Sequence, residues 1–236
     1  MIRDSIVDRL LVVFDLDGTL VNSRRDIAVS ANEALTHFGA PPLDDDAIAR
    51  FVGDGARMLM ARTLKAAGID AAQLPAALAT FLEIYNRRLL ETTVPYDGIG
   101  ALIAELAEAD EWRARGVVLG VITNKPQQPS ERILAAFDLA RHFRWVIGGD
   151  TTWPRKPDPS SLEWMMADAG VSPAQTLFVG DTEIDARTAR AARAPFCLAS
   201  YGFGQERGAT ALLPGETAAP AAEGIRQAVA RLVRPR

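Results

Sequence analysis

The feature that most constrains this chain is a short apolar run that ends in two acids. Residues 10–14 read Leu-Leu-Val-Val-Phe, and Asp15 and Asp17 follow before Gly18 interrupts the run. Continuous apolar and β-branched residues predict a central strand of a sheet that is covered on both faces. Two carboxylates at the end of such a strand add little to a core. They can hold a divalent cation or attack a phosphorus atom.

The rest of the chain divides into two patterns. Residues 21–92 carry apolar side chains at helical spacing, with no convincing strand. From Thr93 onward, short strands alternate with helices, which is typical of parallel βαβ units. We therefore predict an α/β protein with a Rossmann-like parallel sheet core, formed by residues 1–20 and 93–236. An all-helical cap domain, residues 21–92, interrupts this core.

Three finer expectations concern the second half of the chain. The Ser160-x-x-Glu163 pattern predicts a capping box at the start of a helix. The stretch from Pro214 to Pro220 is rich in Ala, Pro and Gly, which predicts a loose loop. A last helix is expected over residues 221–233.

Composition excludes several classes of function. The net charge is −4 and no dense block of Lys and Arg occurs, so nucleic-acid binding is not expected. No apolar run is long enough to span a bilayer, and charged residues such as Arg3 and Asp4 interrupt the N-terminal segment. The single cysteine, Cys197, cannot form an internal disulfide. We expect a cytoplasmic protein without a membrane partner, either a monomer or a homodimer.

Polar side chains also follow the later predicted strands. The second core strand ends at Thr123, Asn124 and Lys125. Lys156 lies in a loop after the third strand, and Asp181 ends the fourth. The carboxyl ends of parallel strands meet at one edge of a sheet, where ligands bind. Acids indicate a cation there, while a lysine and a threonine indicate an anion. Magnesium together with a phosphate group would satisfy both sets.

These elements resemble the haloacid dehalogenase superfamily of phosphatases, and within it the bacterial phosphoglycolate phosphatases. All four sequence elements of that superfamily occur in the expected order. They are D-x-D-G-T at Asp15, Asp17, Gly18 and Thr19; a strand ending in Thr123; Lys156; and G-D-x-x-x-D at Gly180, Asp181 and Asp185. The resemblance covers nearly the whole chain, because the helical insertion falls where that family carries its cap.

The resemblance implies a role for each matched residue. Asp15 would be the nucleophile that forms an aspartyl-phosphate. Asp17 would be the acid and base, and its main-chain carbonyl would also face the metal. Lys156 would neutralise charge on the nucleophile and the transferring group. Asp181 would complete a Mg²⁺ site with Asp15 and Asp17, while Asp185 would orient Lys156 or a water on the metal.

The remaining implied contacts bind the substrate. Thr123 and Asn124, together with Gly18 and Thr19, would hold the phosphoryl oxygens. In the insertion, the V-G-x-G-like loop at residues 51–57 and the following Arg62 resemble the phosphoglycolate phosphatases. Arg62, or Arg57 in its place, could bind a substrate carboxylate. An internal salt bridge is the alternative for Arg62.

The expected activity is therefore Mg²⁺-dependent hydrolysis of a small phosphate ester, with 2-phosphoglycolate as the best single substrate. Sugar phosphates, pyrophosphate and a β-phosphoglucomutase-like isomerisation remain alternatives. Asp17 argues against a haloacid dehalogenase proper, because those enzymes lack the second acid. The presence of Asp15, Lys156 and Asp181 argues against a binding module without catalysis.

Overall fold

The computed structural model describes residues 9–204 and 210–232 and has an α/β architecture. Eight strands, numbered in chain order, are Leu10–Phe14 (β1), Val21–Asn22 (β2), Val94–Pro95 (β3), Val117–Ile122 (β4), Trp145–Ile147 (β5), Thr176–Gly180 (β6), Phe196–Ala199 (β7) and Thr217–Ala219 (β8). Six of them form a parallel sheet in the order β5-β4-β1-β6-β7-β8. The predicted fold class is confirmed.

Strand β1 occupies the middle of this sheet, as its sequence predicts. All five of its residues are buried. Leu10, Val12 and Phe14 pack into one apolar layer, and Leu11 and Val13 pack into the layer on the opposite face. Because side chains alternate along a strand, two covered faces require an apolar residue at every position.

Ten α-helices are described. They are Arg24–His37 (α1), Asp45–Ala49 (α2), Ala56–Ala66 (α3), Leu74–Arg88 (α4), Ile99–Glu108 (α5), Asp110–Ala114 (α6), Gln127–Ala136 (α7), Ser160–Ala169 (α8), Glu183–Ala191 (α9) and Ala222–Leu232 (α10). Within the described residues, no helix is both long and apolar enough to cross a membrane. Helices α1 to α4 lie inside the predicted insertion. The division into two domains, and its boundaries, stay a prediction, and residues 1–8 and 233–236 of the predicted core lie outside the described residues.

The two ends of the helical insertion lie side by side. Strand β2 pairs antiparallel with β3, so Val21 lies opposite Pro95 and Asn22 opposite Val94. The prediction of no strand over residues 21–92 missed β2, because so short a pairing carries no periodic signal.

Asp26, in the first turn of α1, binds the segment in which the chain returns from the insertion to the core. Its buried carboxylate accepts hydrogen bonds from the backbone N–H and the hydroxyl of both Thr92 and Thr93. Burial alone would raise the pKa of Asp26, but these hydrogen bonds outweigh it and lower the pKa below the ordinary value.

Two C-terminal expectations were wrong. The predicted loose loop at 214–220 contains β8, whose Thr217, Ala218 and Ala219 pair with β7. Its sequence has little strand preference, so pairing with a neighbouring strand decides its conformation. The predicted capping box at Ser160 is also absent. Pro159 is the N-cap of α8, and the Ser160 hydroxyl donates instead to Asp158.

Candidate active site

The carboxyl ends of three neighbouring strands bring the predicted side chains together. Asp15 directly follows β1, Thr123 follows β4, and Asp181 follows β6. The sheet continues through two of these residues: the Asp15 N–H donates to the Val179 carbonyl, and the Thr123 N–H donates to the Ile147 carbonyl. The strand ladder therefore fixes the backbone that carries these side chains.

Lys156 lies between two carboxylates at this edge. Its Nζ is 2.7 Å from Asp15 Oδ1 and 2.6 Å from Asp185 Oδ1, and its side chain is almost fully buried. Burial alone would lower the pKa of Lys156, but the charges of Asp15 and Asp185 outweigh it and raise the pKa above its ordinary value. The ammonium is therefore charged, and it contacts the predicted nucleophile directly.

A cluster of three buried acids surrounds that lysine. One carboxylate oxygen each from Asp15, Asp181 and Asp185 lies within 4.8 Å of the other two. Burial, together with the Asp185 charge, raises the pKa of Asp15 to about 7 against the opposing effect of Lys156. Burial and the charges of Asp185 and Asp15 also raise the pKa of Asp181. One ammonium does not offset three carboxylates, so the oxygen-only cluster suits a divalent cation such as Mg²⁺.

Asp185 has further partners beside Lys156. Its Oδ2 accepts hydrogen bonds from the backbone N–H of Thr182, at 3.0 Å, and from the Thr182 hydroxyl, at 2.6 Å. The Thr182 hydroxyl in turn caps helix α9. Asp185 thus has one oxygen toward Lys156 and one committed to the helix terminus. The resemblance implied that Asp185 orients either Lys156 or a water on the metal, and the contact with Lys156 is present.

Glycine residues pack closely against the Asp181 side chain. Gly18 has φ +87°, and a Cβ on it would lie 2.0 Å from Asp181 Oδ2. Gly204 donates its N–H to the same oxygen at 2.7 Å, and Gly202 also lies against the Asp181 side chain. Gly18 therefore has a steric role that the sequence did not predict. The contact with Gly204 was missed as well, because residues 202–204 are far from Asp181 along the chain.

The Asp17 carboxylate contacts Ser23 and Lys125 rather than the clustered acids. Ser23 Oγ donates to Asp17 Oδ1 at 2.5 Å, and Lys125 Nζ lies 3.1 Å from both carboxylate oxygens. The side chain of Asp17 is therefore not among the three clustered carboxylates. A metal contact through its main-chain carbonyl, as the resemblance implies, stays a prediction.

Lys125 and Tyr85 are site residues to which the sequence analysis gave no role. The Lys125 ammonium donates to the Tyr85 hydroxyl, and it also lies 4.4 Å from the centre of the Tyr85 ring. Both residues are buried. Lys125 directly follows Thr123 and Asn124, so its position at the strand end was the available signal. Tyr85 is one of the apolar-face residues of α4, where a core role is the ordinary interpretation.

Residues after β4 also link the core to the helical insertion. The Asn124 side-chain amide donates to the Gly53 carbonyl at 2.9 Å and to the Lys156 carbonyl at 3.1 Å. The Thr123 hydroxyl accepts the Lys125 N–H at 3.2 Å. Both Thr123 and Asn124 line the central cavity. Thr19 is buried, and its hydroxyl has no hydrogen-bond partner among the described residues. The contacts of Thr123, Asn124 and Thr19 with a substrate stay predictions.

The two candidate arginines take different positions. The Arg62 guanidinium donates to the Phe51 carbonyl at 3.0 Å and lies 2.5 Å from Asp54 Oδ2. It binds the loop of its own insertion, which was the alternative stated for it. Arg57 is exposed beside a neighbouring crevice that also contains Arg155. Neither Arg57 nor Arg62 lines the central cavity. The contacts of Arg62 favour its alternative role, support of its own loop, whereas a contact of Arg57 with a substrate stays a prediction.

The central cavity lies between the strand ends and the helical insertion. Its wall on the core side is polar and includes Asp15, Asp17, Thr123, Asn124 and Lys125. The opposite wall is mostly apolar and is formed by Ile27, Val52, Ala56, Leu59, Phe81, Leu82 and Tyr85. An apolar wall opposite the acids lowers the local dielectric constant and so strengthens electrostatic interactions at them.

Comparison with known proteins identifies the family. The model of the haloacid dehalogenase-like hydrolases matches residues 12–199, well over half of the 236 residues. The chain belongs to the haloacid dehalogenase-like hydrolases. The resemblance recognised from its four sequence elements is confirmed, and the protein is a hydrolase with a phosphatase-type site.

Individual relatives agree with this assignment. A phosphoglycolate phosphatase of Rhodospirillum rubrum is 41% identical over 201 residues, which is 83% of this chain and 81% of the relative. A phosphoglycolate phosphatase of Pseudomonas putida is 40% identical over 84% of this chain and 71% of its own length. A crystal structure from Haemophilus somnus, described as a predicted phosphoglycolate phosphatase, has a TM-score of 0.81 at 27% identity, covering 93% of this chain and 97% of that one.

Proposed function

We propose that this protein is a Mg²⁺-dependent phosphomonoesterase that hydrolyses a small phosphorylated metabolite through an aspartyl-phosphate on Asp15. The observation that carries the proposal is the setting of Asp15. Its carboxylate lies 2.7 Å from the Lys156 ammonium and within 4.8 Å of the Asp181 and Asp185 carboxylates. A nucleophilic carboxylate needs such neighbours, because it must approach a phosphate of the same charge.

In the first step, an Asp15 oxygen attacks phosphorus while the bond from phosphorus to the ester oxygen breaks. Lys156 lies against the attacking carboxylate and offsets negative charge that builds on the transferring group. Thr123 and Asn124, with Gly18 and Thr19, would receive the phosphoryl oxygens at the strand ends. Asp15, Asp181 and the main-chain carbonyl of Asp17 would hold the ion. A bound Mg²⁺ ion would reduce the repulsion between the Asp15 carboxylate and the phosphate.

Asp17 would move the protons of both steps. It gives a proton to the departing alkoxide, and it then takes one from the water that attacks the aspartyl-phosphate. That attack forms a new bond from oxygen to phosphorus, breaks the bond to Asp15 and releases inorganic phosphate. The hydrogen bond that its carboxylate accepts from the Ser23 hydroxyl supports an oriented role for Asp17.

The substrate that we favour is 2-phosphoglycolate. The names of the curated relatives, at about 40% identity over most of both chains, support this choice. The cavity has one wall from the core and one from the helical insertion, and this placement between two walls favours a compact ester over a polymer. We also propose a cytoplasmic location, because the single cysteine has no partner for an internal disulfide and so fits a reducing compartment.

A panel of phosphate esters tests the proposal. Phosphate release from 2-phosphoglycolate, sugar phosphates, pyrophosphate and p-nitrophenyl phosphate would be measured with Mg²⁺ and with a chelator. We expect Mg²⁺-dependent release and the highest kcat/KM for 2-phosphoglycolate. Asp15→Asn should abolish turnover, while Asp97→Asn, at an exposed carboxylate, serves as the matched control. Unchanged release by Asp15→Asn would overturn the assignment of the nucleophile. Conversion of glucose 1-phosphate without phosphate release would indicate an isomerase instead.

A further inference from the structure

Lys125 is a buried ammonium that the reaction steps above do not use. It follows β4 at the carboxyl edge of the sheet and lies 3.1 Å from each oxygen of Asp17. Its third contact is the Tyr85 hydroxyl, which reaches it from helix α4 of the insertion. The side chain of Lys125 is 3% exposed. A buried ammonium is costly unless it is paired, and here its pair is the predicted acid and base.

We propose that Lys125 is a positioning residue that fixes the orientation of the Asp17 carboxylate. We propose further that Tyr85 makes this orientation depend on helix α4 being seated over the core. The proposal rests on the proposed function, because it assumes that Asp17 exchanges the proton with the leaving group.

The geometry explains why Asp17 needs this support. The carboxylate torsion of an aspartate is broad, so its oxygens turn easily unless donors hold them. Among the described residues, Ser23 and Lys125 donate hydrogen bonds to the Asp17 carboxylate. Ser23 contacts Oδ1, whereas Lys125 contacts both oxygens. Removing Lys125 would leave one oxygen without its donor, and proton transfer is sensitive to displacements of this kind.

Tyr85 extends this support to the insertion. Its hydroxyl oxygen accepts a hydrogen bond from Lys125, and this contact places the ammonium 4.4 Å from the centre of the Tyr85 ring. Burial raises the pKa of Tyr85 well above its ordinary value, so the hydroxyl remains neutral. Tyr85 also stacks on Phe81 at 5.6 Å, within the apolar wall of the cavity. Any movement of α4 away from the core would therefore remove a contact from Lys125.

A direct contact of Lys125 with the substrate is the competing role, since Lys125 lines the cavity. The two roles differ in which step they affect. Loss of a positioned acid slows the cleavage of an alkyl ester, whose leaving group needs a proton. It does not slow phosphoryl transfer from p-nitrophenyl phosphate, whose leaving group departs as a stable anion. Loss of a contact with the phosphate would slow both reactions.

The test compares Lys125→Met and Tyr85→Phe with the parent enzyme. Lys65→Met, an exposed lysine on α3, is the matched control. Rates of the phosphorylation step would be measured in single turnovers with the preferred alkyl ester and with p-nitrophenyl phosphate, with Mg²⁺ present. For Lys125→Met we expect a loss of about 100-fold with the alkyl ester, the range for a general acid, and less than about threefold with p-nitrophenyl phosphate. For Tyr85→Phe we expect a loss of about three- to tenfold with the alkyl ester alone, since one hydrogen bond is removed.

Each substitution is repeated in the Asp17→Asn background. If Lys125 and Tyr85 act through Asp17, neither change should lower the rate with p-nitrophenyl phosphate or the alkyl ester any further. Equal losses for both esters, or additive losses in the Asp17→Asn background, would overturn the positioning role and assign Lys125 to substrate binding. Tyr85→Phe keeps the test decisive if Lys125→Met does not fold. A parent enzyme without esterase activity contradicts the proposed function, whereas an active parent with unaffected Lys125 and Tyr85 variants contradicts this inference alone.

Discussion

Replacing Asp15 by asparagine should make the metal-free protein more stable at pH 8 while it removes activity. The acid lies in a buried cluster with Asp181 and Asp185, and burial and the Asp185 charge raise its pKa to about 7. The folded protein therefore binds the Asp15 proton more tightly than the unfolded chain does. Because of this difference, the free energy of unfolding falls as pH rises from about 4 to about 7.

The magnitude follows from the two pKa values. The ordinary value is 3.8 and the folded value is about 7, and each unit corresponds to about 1.4 kcal/mol. Well above pH 7 the ionised Asp15 thus costs the fold up to about 4 kcal/mol. Asparagine keeps the shape of the side chain without its charge, and Lys156 retains its contact with Asp185. At pH 5 the folded Asp15 is mostly protonated, so the gain should shrink to about 2 kcal/mol or less.

Urea unfolding in the presence of a chelator, at pH 5 and pH 8, measures this gain. The Asp97→Asn variant removes an exposed carboxylate and should change stability by less than about 0.5 kcal/mol at either pH. Saturating Mg²⁺ should stabilise the parent more than the Asp15→Asn variant and so reduce the difference between them. If Asp15→Asn instead lowers the free energy of unfolding at pH 8 in chelator, the ionised Asp15 does not destabilise the fold, and the argument from buried, mutually repelling acids is wrong.

Three further outcomes follow from the same contacts. The affinity for Mg²⁺, measured by calorimetry, should weaken by up to about tenfold per pH unit below pH 7, because a proton on Asp15 competes with the ion; a constant affinity from pH 5 to 8 would contradict this. Asp26→Asn should lower the free energy of unfolding by about 2 kcal/mol, since it weakens the buried hydrogen bonds from Thr92 and Thr93. An unchanged urea midpoint would show that these hydrogen bonds do not stabilise the fold. Arg62→Ala should raise KM equally for esters with and without a carboxylate, because Arg62 supports the loop at residues 51–54; a selective rise for carboxylated esters would instead show direct recognition.

Much of the fold could be predicted because its signals are local. The buried run of β1 specifies a central strand at every position, and regular alternation after residue 93 specifies a parallel sheet. The parallel arrangement then brings Asp15, Thr123 and Asp181 to one edge, although they are far apart along the chain. Strand β8 was missed, because its three residues become a strand only by pairing with β7.

The electrostatic details of the site were less predictable. Lys156 contacts Asp15 as the family pattern implies, but no sequence motif predicts that Lys125 pairs with Asp17. A lysine is usually a solvated surface residue, and a tyrosine on an apolar helical face usually fills the core. The burial of Lys125 beside Tyr85 arises from the meeting of α4 with the sheet edge. Such a contact depends on tertiary structure and leaves no spacing signal in the sequence.

The central claim is that Asp15 becomes covalently phosphorylated. The most direct measurement mixes the enzyme with Mg²⁺ and 2-phosphoglycolate, or another ester that it hydrolyses, quenches in acid and reduces the product with borohydride. Reduction converts an aspartyl-phosphate to homoserine, and peptide mass spectrometry then locates the altered residue. The account predicts homoserine at position 15 of the parent enzyme and none in Asp15→Asn. Phosphate release from the parent with every aspartate unaltered, or with the change at another position, would contradict the account.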